Sequence, residues 1–190
     1  MIATLGVGYA ASVIPELSHA AINTPGTGLV EGEISVDVNG FAVPVYRSMP
    51  KGNGPFPVVL VLSEIFGVHE HIADITRRFA KLGYMALAPE LFIRQGDAQG
   101  YAVMADLMKE VINKVPDAQV MQDLDAVVAW AGANGGDLNR LGVTGFCWVG
   151  RQTWLYAAHQ PKIKAGVAWY GRLVGDTSER TPKQPVDIAG

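Results

Sequence analysis

The sequence predicts an α/β domain, a mostly parallel sheet with helices on both faces, entered through an antiparallel hairpin. Two observations carry this. Apolar strand-like runs alternate with helix-like periodic segments from residue 57 to residue 169, and such alternation at this spacing favours parallel strands joined by crossover helices. Before them, Glu33 to Asn39 alternates apolar and polar residues, and Asn39-Gly40 supplies a type I′ turn signal into Phe41 to Arg47, the pattern of a hairpin.

The elements follow in order. Lys51 to Pro55 is a Gly/Pro-rich loop, and Pro57 to Leu62 is a continuous apolar run, as expected of a strand buried on both faces. Ile72, Ile75, Phe79 and Leu82 recur at three or four residues, predicting a helix over 70–82 closed by Gly83. Tyr84 to Ala88 is the next strand. Asp97 to Asn113 and Asp117 to Ala133 both read as helices, the second with Val120, Leu124, Val127, Val128 and Ala131 on one face. Gly135-Gly136 breaks that pattern. Arg140 to Gly145 is a short strand, Trp148 to His159 a helix and Lys164 to Trp169 a strand, after which residues 176–190 read as a polar loop.

Composition bounds the function. The chain has 190 residues, 49% of them hydrophobic, enough to bury one substantial core in one domain. Fifteen basic and 18 acidic side chains give a net charge of −3, with no basic cluster among aromatics, which argues against a nucleic-acid partner. A single cysteine rules out an internal disulfide, and no His/Cys cluster suits a metal, so neither metal nor cofactor is expected. Residues 1–28 are read as a tail and 29–190 as the domain. Ile2 to Ile14 is apolar and Ser18-His19-Ala20 resembles a signal-peptidase site, but no Lys or Arg precedes Arg47. The expected compartment is therefore cytoplasmic as written, or periplasmic or secreted if an upstream signal start precedes Met1. No stretch suits a bilayer span.

Cys147 carries the chemistry. Leu141 to Gly150 reads as a strand running through a sharp turn into a helix, with Cys147 at the turn, the context of a nucleophile elbow. The helix start at Trp148 is expected to lower the cost of a thiolate, and the Trp148 amide to point at a developing oxyanion. A small buried hydrophobe is the plain alternative for a lone Cys.

Three motifs at strand ends, Glu64-Ile65-Phe66-Gly67, Pro89-Glu90-Leu91-Phe92-Ile93-Arg94 and Gly145-Phe146-Cys147-Trp148, resemble the dienelactone hydrolase family from about Val30 onward. The resemblance implies an α/β-hydrolase fold and a cysteine hydrolase that opens a small lactone or ester, such as dienelactone to maleylacetate, through a thioester. It implies that Glu64 helps activate Cys147, that Arg94 binds a substrate carboxylate, and that Ile65 gives the second oxyanion amide beside Trp148. A solvated acid for Glu64 and a surface salt bridge for Arg94 are the competing readings.

The family order places an acid and a histidine after further strands, and neither strand is expected before Gly190. The sequence is thus read as truncated, its last strands missing, its exposed sheet edge open to self-association. His159 lies twelve residues past Cys147, about 18 Å along a helix, too far for a hydrogen bond. His69 and His71 follow Glu64 closely and are read as helix-entry residues; His19 falls in the tail. Val149 stands where the elbow pattern wants glycine, and is expected to overpack against the neighbouring strand at about 1–3 kcal/mol. A catalytically inactive binding module and a redox-sensing thiol remain as alternatives to the hydrolase.

Overall fold

The computed structural model describes residues 22–189. The apolar 2–14 stretch and the signal-like site lie outside the described residues. Among the described residues six strands form one sheet in the order β1-β2-β4-β3-β5-β6. The hairpin is β1 (Leu29–Val38) and β2 (Phe41–Pro50), closed by Asn39 and Gly40 at φ 55° and 84°, the positive values a type I′ turn requires. β2 meets β4 (Met85–Pro89) antiparallel; β4, β3 (Phe56–Leu62), β5 (Gly136–Phe146) and β6 (Ile163–Trp169) run parallel.

Strand periodicity divides the core between the two faces. Val58, Leu60 and Leu62 of β3 and Met85 and Leu87 of β4 join the larger cluster, which takes in Val120, Leu124, Val127 and Val128 of α3 (Asp117–Ala133) and Val149 and Tyr156 of α4 (Cys147–His159). Val59, Val61, Ala86 and Ala88 face the opposite way, onto Ile72 of α1 (Glu70–Lys81). A helix layer therefore lies on each face, and the continuous apolar character of β3 follows from burial on both.

Two expectations are corrected. The helix expected over 97–113 is instead a 3₁₀ turn at Ala98–Gly100, a short helix α2 (Met104–Glu110) and a second turn at Ile112–Lys114. The Asp97 side chain caps Gln99, and Val111 leaves helical geometry at φ −120°, so local side-chain and backbone choices win over the apolar period. Leu82 caps α1 and is 73% exposed; Gly83, at φ 95°, turns the chain before that side chain can reach the core. The polar loop over 176–189 is hydrogen-bonded to the body of the domain. The Arg180 carbonyl accepts from the Asp117 amide at 2.8 Å, and buried Gln184 accepts from Arg151 Nε at 2.8 Å, which ties the segment to α3 and α4.

β6 is a sheet edge, with Val167 and Trp169 about half exposed. Beside it, an apolar depression between α1 and β6 is lined by Ile75, Phe79, Leu82, Val143, Val167 and Trp169; neither Cys147 nor Glu64 lines it. No helix among the described residues is long and apolar enough to cross a membrane.

Candidate active site

Sheet register brings the sequence motifs together. Leu62 pairs with Gly145 across the parallel β3–β5 ladder, so Glu64 and Cys147 each lie two residues past paired positions on neighbouring strands. Ile65 and Trp148 lie one further. Because parallel strands end on the same side, all four gather at the carboxyl end of the sheet, past two of its inner strands.

Cys147 is the first residue of α4 and has φ 57°, a left-handed conformation that costs a non-glycine residue of order 1 kcal/mol. β5 ends at Phe146 and α4 begins without an intervening loop, which forces the conformation. The Trp148 amide donates to the Cys147 sulfur. Phe92, from the segment after β4, meets the Trp148 ring edge-on at 5.8 Å and holds it over the main core.

The thiol does not behave as the helix start alone predicts. Burial raises its pKa above the ordinary thiol value; the Trp148 amide pulls it down, the Glu64 charge pushes it up, and the net direction is up. Removing a thiolate from water outweighs one amide at the helix start.

Val149 is fully buried in the larger cluster, and the Trp148 amide keeps its place on the sulfur. The close helix–strand approach lies at other positions. A Cβ on Gly145 would sit 2.3 Å from Thr153 Oγ1 and 3.0 Å from Leu62 Cβ, and one on Gly150 would sit 2.8 Å from the Trp169 carbonyl oxygen and 3.0 Å from Gly171 Cα. Gly150→Ala is thus expected to lower stability by about 1–3 kcal/mol, because backbone on both sides must move. Chemical denaturation of the two proteins checks it.

Glu64 is only 2% exposed, so it is not a solvated acid. Its Oε2 lies 3.1 Å from His69 Nε2, and His69 is 6% exposed. The intervening turn is fixed from β4. Glu90 Oε1 accepts from the Val68 amide at 2.8 Å, and Gly67, at φ 74°, brings its Cα so close that a Cβ would lie 2.8 Å from Glu90 Oε2. Burial raises the Glu90 pKa, the Val68 amide opposes it, the Asp97 and Glu33 charges add to it, and His69 opposes it.

Arg94 is engaged by protein partners. Nη1 donates to Asp123 Oδ2 at 2.6 Å, the guanidinium lies 4.4 Å from the centre of the Phe41 ring, and the side chain is 20% exposed. Asp123 on α3 is buried, which pushes its carboxyl up against the opposing pull of Arg94. His159 ends α4 and pairs with Asp125 at 2.7 Å. Among the described residues no group of three or more His, Cys, Asp or Glu is placed to hold a metal.

Sequence reasoning missed three groups. His69 was expected only at the helix start, Glu90 lay inside a quoted motif without a role, and Asp123 stands 29 residues from its partner Arg94 with no local signal.

The arrangement offers a sulfur held at a strand-to-helix turn, an amide aimed at it and a buried carboxylate beside it. The chain has close relatives among known proteins. A protein of Methylorubrum extorquens provisionally named carboxymethylenebutenolidase is 57% identical over 187 residues, covering 98% of this chain and 64% of the relative. One of Escherichia coli K12 with the same provisional name is 53% identical over 190 residues, covering all of this chain and 70% of the relative. The chain thus spans about two thirds of the length of these relatives. A crystal structure from Klebsiella pneumoniae, provisionally described as a dienelactone hydrolase, superposes with a TM-score of 0.82 at 57% identity, over 85% of this chain and 68% of that one. The sequence pattern of the dienelactone hydrolase family matches residues 43–189, and with this sheet, these helices and these relatives the chain belongs to the dienelactone hydrolase family, on an α/β-hydrolase fold.

Proposed function

We propose that this chain carries the acylating site of a cysteine hydrolase for small lactones and esters. The single observation that supports the reading most is the convergence at the carboxyl end of the sheet of Cys147 at φ 57°, the Trp148 amide on its sulfur and the buried Glu64 just past the adjacent strand.

The chemistry follows from those groups. The thiol proton passes to the Glu64 carboxylate and the sulfur attacks the carbonyl carbon. The new oxyanion takes the Trp148 amide, which the thiolate no longer needs, with the Ile65 amide as its neighbour. Collapse of the adduct breaks the ring C–O bond, and the departing oxygen takes the proton that Glu64 accepted from the thiol, which restores the carboxylate. The thioester then adds water to give the open-chain acid and the free thiol. With dienelactone as substrate, the product is maleylacetate. Arg94 is the cation for a substrate carboxylate: Asp123 and Phe41 hold the guanidinium, and its exposed fifth faces solvent.

The redox-sensor alternative is less well supported, since a sensor thiol ionises readily and this one is held protonated by burial. The test is a rapid-quench intact-mass measurement during turnover of a small activated ester. A covalent acyl adduct on Cys147 is expected, and turnover without any adduct would count against the thioester route. Arg94→Ala is expected to raise KM about tenfold for an anionic lactone and to leave a neutral ester unchanged, as for loss of one charge-assisted contact. Steady-state kinetics on the two substrates check it.

A further inference from the structure

We infer that His69 is a positioning residue for Glu64, holding it as an ionised carboxylate turned toward Cys147 by donating its Nε2–H. The inference rests on the reading that Glu64 acts on Cys147.

Three observations carry it. The contact is short and buried: Nε2 to Oε2 is 3.1 Å, with both residues more than nine-tenths buried. An ionised carboxylate can only accept, so Nε2 must bear the proton. A carboxylate so buried needs a donor to stay charged. Second, His69 occupies the N-cap of α1 and makes no side-chain cap bond. That position favours Ser, Thr, Asp or Asn, whose oxygen would satisfy a free helix amide. The imidazole leaves the cap unfilled and points to Glu64 instead. Third, the backbone under His69 is fixed. Its amide donates to the Gly67 carbonyl at 3.1 Å, and Glu90 grips the Val68 amide.

The arrangement reverses the usual order of an acid orienting a histidine base. Here the carboxylate is the proton acceptor and the histidine the group that orients it. The titratable groups around the pair are Cys147 at the end of β5, Glu90 after β4, and His71 on α1, whose ring stacks 6.2 Å from that of His69. Asp97 and Glu33 act on Glu90.

Cys147 is the sole cysteine, so iodoacetamide addition followed by intact mass reports its ionisation across pH. Glu64→Gln removes a negative charge beside the thiolate, and the alkylation profile should move to lower pH by roughly one unit. His69→Phe, which takes the imidazole N–H away from the buried carboxyl and so disfavours its charge, should move the profile the same way. The double variant should move it no further. His69→Gln keeps an N–H and should hold the parent profile. A His69→Phe profile that superimposes on the parent's, while Glu64→Gln is shifted, overturns the role of His69. No shift in Glu64→Gln overturns the underlying reading of the site as well, and so separates the two failures. Nitrogen NMR of the parent protein needs no variant: protonated Nε2 on His69 is expected, and an unprotonated Nε2 overturns the inference.

Discussion

Cys147→Ala is expected to cut hydrolysis of activated esters and small lactones by roughly 10³-fold or more, the scale on which removing a covalent nucleophile acts, and to leave thermal stability close to the parent's. The side chain is only partly buried at the carboxyl end of the sheet, so little packing is lost. The parent should show a matching pH dependence. Burial places the thiol above its ordinary range, the Trp148 amide partly offsets this, and the Glu64 charge adds to it. Alkylation should therefore climb about tenfold per pH unit from neutrality upward, since only the thiolate reacts. A plateau below pH 8 would contradict the burial argument. Residual hydrolysis in Cys147→Ala at a tenth of the parent's rate would remove Cys147 from the chemistry.

Asp117→Ala is expected to be the most damaging single change to stability. Arg151 on α4 is fully buried and donates to both Asp117 oxygens, at 2.7 and 2.8 Å. Gln152 Nε2 donates to the same carboxylate at 2.7 Å, while Arg151 also reaches Gln184 and the Lys183 carbonyl. Removing Asp117 strands a buried guanidinium, which costs about 3–5 kcal/mol. At about 2–4 °C per kcal/mol for a chain of this size, the melting midpoint should fall by roughly 10 °C. Replacing both partners, as Asp117→Leu with Arg151→Met, should cost much less than the two single changes together, because no charge is then left uncompensated. Calorimetry of the three variants distinguishes a coupled pair from two independent contacts.

Much of the fold was legible because the signals are local. The β3 run declares burial on two faces, Asn39-Gly40 declares its turn, and the five apolar positions of α3 are all buried. The 97–113 stretch was misread because its apolar period is real while the Asp97 cap and the Val111 backbone break it. The Val149 expectation located the tight packing wrongly: only the packed helix shows that Gly145 and Gly150 face the neighbouring backbone and side chains while Val149 faces the core.

By itself, then, the sequence determined the order of the strands and of most helices, the turn that presents Cys147, and the three motifs as strand-end segments, since each depends on neighbours within a few residues. Tertiary structure alone decided the rest. It pushed the thiol up instead of down, because desolvation depends on what covers the sulfur. It gave Arg94 to Asp123, Asp117 to Arg151 and the cap residue His69 to Glu64. A charged side chain's partner is set by which atoms the packed chain brings within about 3 Å of it, and no local pattern in the sequence encodes that distance.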